Sequence, residues 1–270
     1  MGDVIACANQ KGGVGKTTTV VNLATYLALE DRRVLVVDLD PQGNATSGLG
    51  LERRTADRSI YPALVDDANV LDLIRPTLLD RLAIVPSARD LAGAEVELVG
   101  LDRRERRLAN ALQPAVSGFD FILLDCPPAV GLLTVNALTA ADAVIVPIQC
   151  EYYALEGLSQ LLSTIELVRE HLNPRLALAG VLLTMFDART TLSADVVREV
   201  RAHMGGSVFS TVVPRSIRLA EAPSHGRPIA RYSPESRGAQ AYHELAREVL
   251  RRAQAAGWSG ARQQLAGATR

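Results

Sequence analysis

Lys11 to Thr18 reads K-G-G-V-G-K-T-T, set between the apolar run V-I-A-C-A-N from Val4 to Asn9 and the stretch Thr17 to Leu29. The first run suits a buried strand and the second a helix, so the glycines fall where a strand turns into a helix N-terminus. Glycine accepts positive φ and lets the backbone approach closely, so successive N–H groups can point inward and form an anion-binding nest at the positive end of the helix. Lys16 is then placed to reach the β- and γ-phosphates of a nucleotide, and the Thr17 hydroxyl to ligate Mg²⁺. The usual phosphate-loop pattern has a glycine where this chain has Gln10, and the chain carries a second lysine, Lys11, at the start of the loop. Of its 29 lysines and arginines only Lys11 and Lys16 are lysines. Lys11, Gly12, Gly13, Val14, Gly15, Lys16, Thr17 and Thr18 are therefore the candidate nucleotide-binding set.

Three carboxylates belong with this loop. Arg33 to Asp38 (R-V-L-V-V-D) predicts a second buried strand, and L-D-P-Q-G-N-A-T after it a loop, by its Pro, Gly and Asn. Asp38 and Asp40 thus lie at the C-terminal end of a strand, where open parallel sheets bind ligands. Asp40 is the candidate for positioning the attacking water or contacting the metal shell. Asp38 suits a nucleotide role and a loop-capping role equally. Phe119 to Asp125 (F-D-F-I-L-L-D) is another buried strand ending in an acid, and Asp125 is placed to hold the Mg²⁺ shell, usually through water.

Further strands are expected at Leu82 to Pro86, Ala143 to Pro147 and Leu176 to Thr184, and helices at Asp90 to Leu101 and Leu155 to His171. The D-R-R-E-R-R-L-A-N-A-L run from Asp102 to Leu112 reads as a charged helix with a solvated face. Residues 51–80 carry no assignable task. The alternation of strands and helices predicts an α/β fold with a doubly wound, mostly parallel sheet and helices on both faces.

At 270 residues and 48% hydrophobic, the chain can bury a large core. The reading is one domain over residues 1–254 and a disordered tail over 255–270, rich in Gly, Ala, Gln and Arg. No apolar run approaches the roughly 18 residues that span a membrane. The N-terminus lacks the regions of a signal peptide, and Ala6 stands where a myristoylation site needs Ser or Thr. A cytoplasmic protein is expected. Cys7, Cys126 and Cys150 form no C-x-x-C pair and read as small buried thiols. The net charge of -1 hides an asymmetry: residues 1–186 hold 16 basic and 23 acidic groups, residues 187–270 hold 13 and 7. The basic C-terminal third suggests a surface that faces a polyanion.

K-G-G-V-G-K-T-T at Lys11, D-L-D-P-Q-G-N at Asp38, L-L-D-C-P-P at Leu123 and A-L-E-G-L at Ala154 resemble the ParA/Soj partition ATPases, members of a class whose phosphate loop carries a second, signature lysine. L-T-M-F-D-A-R-T-T-L-S from Leu183, V-P-R-S-I-R-L-A-E-A-P-S-H-G from Val213 and A-Y-H-E-L-A from Ala241 continue the likeness. The resemblance implies an ATP- and Mg²⁺-dependent sandwich homodimer, in which Lys11 reaches the phosphates bound by the other subunit and Gly12 lies at the contact. It implies that Asp40 is the catalytic acid, alongside Lys11 and Lys16, and that Met185, Pro214 and Ser216 lie on the adenine side. By the same resemblance Arg189 and Arg218 bind double-stranded DNA without sequence preference, their rival role being internal ion pairs with Asp187 or Glu221. A ParB-like partner would stimulate hydrolysis, and the protein would associate with the nucleoid and form no stable membrane association. Two other readings stay open: a membrane-associated positioning ATPase of the MinD class, and an iron-sulfur reductase of the nitrogenase type, for which Cys126 lacks a second suitably placed cysteine.

Overall fold

The computed structural model describes residues 2–52, 59–152 and 154–258. Eight strands form one sheet: β1 Asp3–Cys7, β2 Val34–Asp38, β3 Arg75–Pro76, β4 Leu82–Val85, β5 Phe121–Asp125, β6 Ala143–Gln149, β7 Ala177–Phe186 and β8 Val208–Pro214. Their spatial order is β3-β4-β2-β5-β1-β6-β7-β8, parallel throughout except for the two-residue edge strand β3. The expected doubly wound sheet is what forms.

The near-continuous apolar strands follow from this arrangement, since a parallel sheet is covered on both faces. Alternate residues of each strand enter opposite cores. Val4, Ala6, Leu35, Val37, Ile122 and Leu124 point to one side, under helices Leu91–Leu98, Leu132–Ala140 and Ala154–His171. Ile5, Cys7, Val34, Val36, Phe121 and Leu123 point to the other, under helices Lys16–Leu29 and Arg237–Ala256. The three cysteines are all buried. Central strand β1 lies between β5 and β6, so the loop that follows it opens at the middle of the sheet's C-terminal edge.

Three expectations need correction. The run Asp102 to Leu112 is not one helix: Arg103 is left-handed at φ 51°, Arg104–Arg106 form a 3₁₀ turn, and the α-helix begins at Arg107. The solvated face is only partial: Arg103 and Arg106 are exposed, but Arg107 is largely buried and donates to the carbonyls of Leu64 and Val65, and Arg106 also donates to that of Leu172. The ordered body also passes residue 254. Helix Arg237–Ala256 continues to a left-handed Gly257, and Trp258 is buried in the second core; residues 259–270 of the expected tail lie outside the described residues.

Strand β8 and helices Thr191–Met204 and Arg237–Ala256 were not among the expected elements. The edge strand β8 is covered by a buried carboxylate: Glu248 accepts from the backbone N–H groups of Ser210 and Thr211 at 2.8 and 3.0 Å. That contact blunts an edge that would otherwise present unpaired donors.

Candidate functional site

Helix Lys16–Leu29 starts at Gly15, whose φ of 93° only glycine adopts readily, and no side chain caps it. The N–H groups of its first turn have no intrahelical acceptors, so they are available to an anion in the cleft. Thr184, at the end of β7, donates its hydroxyl to the Val14 carbonyl at 2.8 Å and ties the loop to the sheet.

Lys16 is buried and donates to two backbone carbonyls of its own loop, Asn9 at 2.9 Å and Lys11 at 3.1 Å. Asn9 holds the other side: its amide donates to Pro147 O at 2.7 Å and its Oδ1 accepts from Lys11 N at 2.9 Å. Lys11 leaves the cleft altogether. Its Nζ meets Glu151 Oε2 at 3.1 Å, with the lysine side chain 45% exposed.

Asp38 and Asp125 end neighbouring strands in register, and both are wholly buried. Asp38 accepts from Thr46 N and Thr46 Oγ1 at 2.8 and 2.7 Å and from Asp40 N at 3.2 Å. It therefore pins the loop after β2, which decides for its capping role. Asp125 differs: neither of its carboxylate oxygens has a partner at full hydrogen-bond geometry, and Thr17 interacts with it only outside that geometry. Burial is the main force raising its pKa well above the usual value, followed by the negative charge of Asp38, while Thr17 and Lys16 oppose the rise. Burial also pushes Asp38 up to about 6, against the hydrogen bonds from Thr46. Two stacked carboxyls in a closed place, one of them without a full hydrogen bond, need a cation to ionise together. Among the described residues no three His, Cys, Asp or Glu converge as a closed metal cage. The donor set fits Mg²⁺, which is held through one or two carboxylates with waters and phosphates rather than by an all-protein cage.

Asp40 is nearly buried, and its Oδ1 accepts from Gln42 N at 2.9 Å. With Gly12, Gly13, Lys16, Thr17, Thr18 and Met185 it lines a cleft of about 280 Å³. A second cleft, of about 340 Å³, shares Gly15, Thr18 and Met185 with the first and is walled by Val213, Pro214, Ser216, Leu219 and Tyr242. The structure so brings the loop, Asp40 and Met185 to one cleft and Pro214 and Ser216 to an adjoining one, the second the more apolar. Met185 lies at the junction with a left-handed φ of 52°, uncommon for a residue with a side chain. A larger cleft of about 430 Å³ between Leu49, Leu78, Leu79 and Arg227 has no phosphate loop, so volume alone does not choose the site.

Arg189 and Arg218 lie outside both of these clefts. Each has the internal partner named as its rival role: Asp187 receives Arg189 Nη2 at 2.7 Å, and Glu221 receives Arg218 Nη1 at 3.0 Å. Both guanidinium groups remain open, with side chains 86% and 60% exposed. The arginine holds the Asp187 carboxyl far below the ordinary carboxylate range. His225 stacks on Tyr232 and takes no place in either.

Sequence reasoning missed Asn9, Thr46, Thr184 and Glu151. Asn9 borders the glycine run and could have been suspected. Thr46 comes from the short helix Asn44–Gly48 after β2, Thr184 from the end of β7 and Glu151 from just past β6, and no spacing in the sequence links them to the loop.

A family model described as "AAA domain" matches residues 2–178. The chain is 57% identical over 249 residues to the sporulation initiation inhibitor protein Soj of Bacillus subtilis, covering 92% of this chain and 98% of the relative. It is 54% identical over 252 residues to the chromosome partitioning protein ParA of Myxococcus xanthus, covering 93% and 89%. A crystal structure of cobyrinic acid a,c-diamide synthase from Mycobacterium smegmatis with bound ADP and magnesium matches with a TM-score of 0.81 at 41% identity, over 93% of this chain and 95% of that one. At 57% and 54% identity to such relatives over more than nine-tenths of its length, the chain belongs to the ParA/Soj family of chromosome-partitioning ATPases.

Proposed function

We propose that this chain is a DNA-partitioning ATPase whose Mg-ATP-bound form is a sandwich homodimer that holds double-stranded DNA non-specifically until hydrolysis, stimulated by a ParB-like partner, releases it. The observation that carries the reading is Asp125: a buried carboxylate with neither oxygen in a full hydrogen bond, at the foot of a phosphate loop. Such a group is costly in an empty site and useful in a loaded one.

In this reading the first-turn N–H groups bind the phosphates, and Lys16 moves from the carbonyls of Asn9 and Lys11 to the β- and γ-oxygens. Thr17 and Asp125 would hold Mg²⁺, which would supply charge neutralisation to the phosphates. Asp40, on the loop that Asp38 pins, orients the attacking water. The more apolar cleft, with Met185, Pro214 and Ser216, receives the adenine. Lys11 acts in trans on the nucleotide of the second subunit, a cation brought to developing charge as an arginine finger is. Gly12 supports a close contact between subunits: a Cβ there would meet only Pro128 at 3.8 Å within the chain, so nothing internal requires the glycine.

Arg189 and Arg218 serve DNA phosphates. Exposed ion pairs are worth about 0–1 kcal/mol, so a phosphate can take either guanidinium from its carboxylate at small cost. Among the described residues no helix is long and apolar enough to cross a membrane. A cytoplasmic, nucleoid-associated protein without stable membrane association completes the proposal.

The test is DNA co-sedimentation with Mg-ATP and with Mg-ADP, beside vesicles of anionic lipid. Retention on DNA with ATP alone supports the reading, and ATP-dependent pelleting with vesicles instead of DNA overturns it. Arg189→Ala with Arg218→Ala removes four cations per dimer and should lower the slope of log affinity against log salt by roughly 3 to 4. Unchanged DNA retention in that variant would remove both arginines from the interface.

A further inference from the structure

The lysine assigned to the partner's nucleotide is here held by its own chain. Lys11 Nζ hydrogen-bonds Glu151 Oε2 at 3.1 Å, and Glu151 is itself fixed, because its second oxygen accepts from the Gln149 amide at the end of β6. The backbone of Lys11 is fixed as well. Its N–H donates to Asn9 Oδ1, and its carbonyl accepts from Lys16 Nζ at 3.1 Å. Lys16 is the side chain that phosphates would claim on binding. The lysine that serves the chain's own nucleotide therefore clamps the backbone of the lysine that serves the other subunit's.

We infer that Glu151 is a positioning residue that restrains Lys11 in cis in the unpaired, nucleotide-free chain, and that nucleotide binding loosens the restraint by drawing Lys16 off the Lys11 carbonyl. The inference rests on the proposed trans role of Lys11 and adds a gate to it. With the site empty, the ammonium is neutralised by Glu151 and its loop is tied at three points, to Glu151, Asn9 and Lys16. With phosphates bound, the tie to Lys16 is gone and only an exposed ion pair holds the side chain. Such a pair is weak enough for the phosphates of a second subunit to displace. Dimerisation is thereby biased, by no more than a few-fold, toward chains whose own site is loaded. The restraint is small by construction: a latch stronger than an exposed ion pair would block the dimer that it regulates.

The experiment is sedimentation analysis of dimerisation in Mg-ATPγS for the wild type, Glu151→Gln, Gln149→Ala, Lys11→Ala and the double variant Lys11→Ala with Glu151→Gln, with ADP binding as a check that the cleft is intact. Glu151→Gln removes the charge and keeps the shape, and should tighten dimerisation about two- to fivefold per lysine released. Gln149→Ala, which frees Glu151 without touching the ion pair, should act in the same direction but less, and carries the test if Glu151→Gln does not fold. In the Lys11→Ala background Glu151→Gln should change nothing, since the two residues act as one unit. Weaker or unchanged dimerisation in Glu151→Gln and in Gln149→Ala overturns the latch, and so does tightening that persists without Lys11. If Lys11→Ala alone dimerises and hydrolyses ATP like the wild type, the trans role itself fails, which is a different result from failure of the Glu151 variants.

Discussion

Replacing Asp125 by asparagine is expected to stabilise the nucleotide-free protein while disabling it. Asp125 is 0% exposed, neither carboxylate oxygen has a partner at full hydrogen-bond geometry, and its neighbour across the strand pair is the buried Asp38. Asparagine has nearly the same shape and no charge to desolvate, so packing around β5 is kept and the repulsion from Asp38 disappears. A buried polar group left unsatisfied costs about 1–3 kcal/mol, more when charged. The amide is itself a buried polar group, so only the part due to charge is recovered, about 1 kcal/mol or less, which for a chain of this size is a rise in Tm of at most roughly 2–4 °C. The assay is thermal unfolding of wild type and Asp125→Asn without nucleotide, with ATPγS, and with ATPγS and Mg²⁺. In the wild type Mg²⁺ should add its own increment, by mass action on the folded state; in the variant that increment should vanish and the ATPase rate with it. A variant less stable than wild type when empty would mean that the carboxylate is satisfied after all. An undiminished Mg²⁺ increment would remove Asp125 from the metal shell.

The other predictions concern its neighbours. Asp38 has a folded pKa of about 6, above its unfolded value near 4, so its contribution is fully present at low pH and is lost as pH rises through 6. The stability of the wild type relative to Asp38→Asn should therefore fall between pH 4 and pH 7, by at most about 3 kcal/mol, in urea titrations of the empty protein; a rise over that range would refute the burial account. Asp40→Ala should keep ATP binding, lose turnover and accumulate dimer in ATP, and a variant that stays monomeric in ATP would argue against a role in hydrolysis.

The sheet and the phosphate loop were legible because each strand that carries chemistry is a short apolar run ending at its functional residue. V-I-A-C-A-N precedes the loop, R-V-L-V-V-D ends at Asp38 and F-I-L-L-D ends at Asp125, and all three become adjacent strands of the parallel sheet. Charge runs were less legible. D-R-R-E-R-R has helical composition, yet Arg106 and Arg107 are spent on the carbonyls of Leu172, Leu64 and Val65, contacts between distant segments that no local pattern announces. Trp258 falls within the Gly-, Ala-, Gln- and Arg-rich span 255–270 expected to be a tail, but one large apolar side chain at the end of an amphipathic helix suffices to dock the turn that carries it. Glu151 was invisible for the same reason as Thr184: their partners, Lys11 and Val14, are 140 and 170 residues away in the chain.

That the site belongs to two subunits is tested most directly by mixing inactive variants. Lys16→Ala lacks the lysine for its own nucleotide but keeps Lys11, and Lys11→Ala binds its own nucleotide but lacks the lysine for its partner's. If Lys11 acts in trans, every mixed dimer that forms holds one complete site, so an equal mixture should hydrolyse ATP faster than either variant alone, up to about a quarter of the wild-type rate if the variants pair at random. A mixture in which mixed dimers form yet hydrolyse no faster than either variant alone would contradict the account.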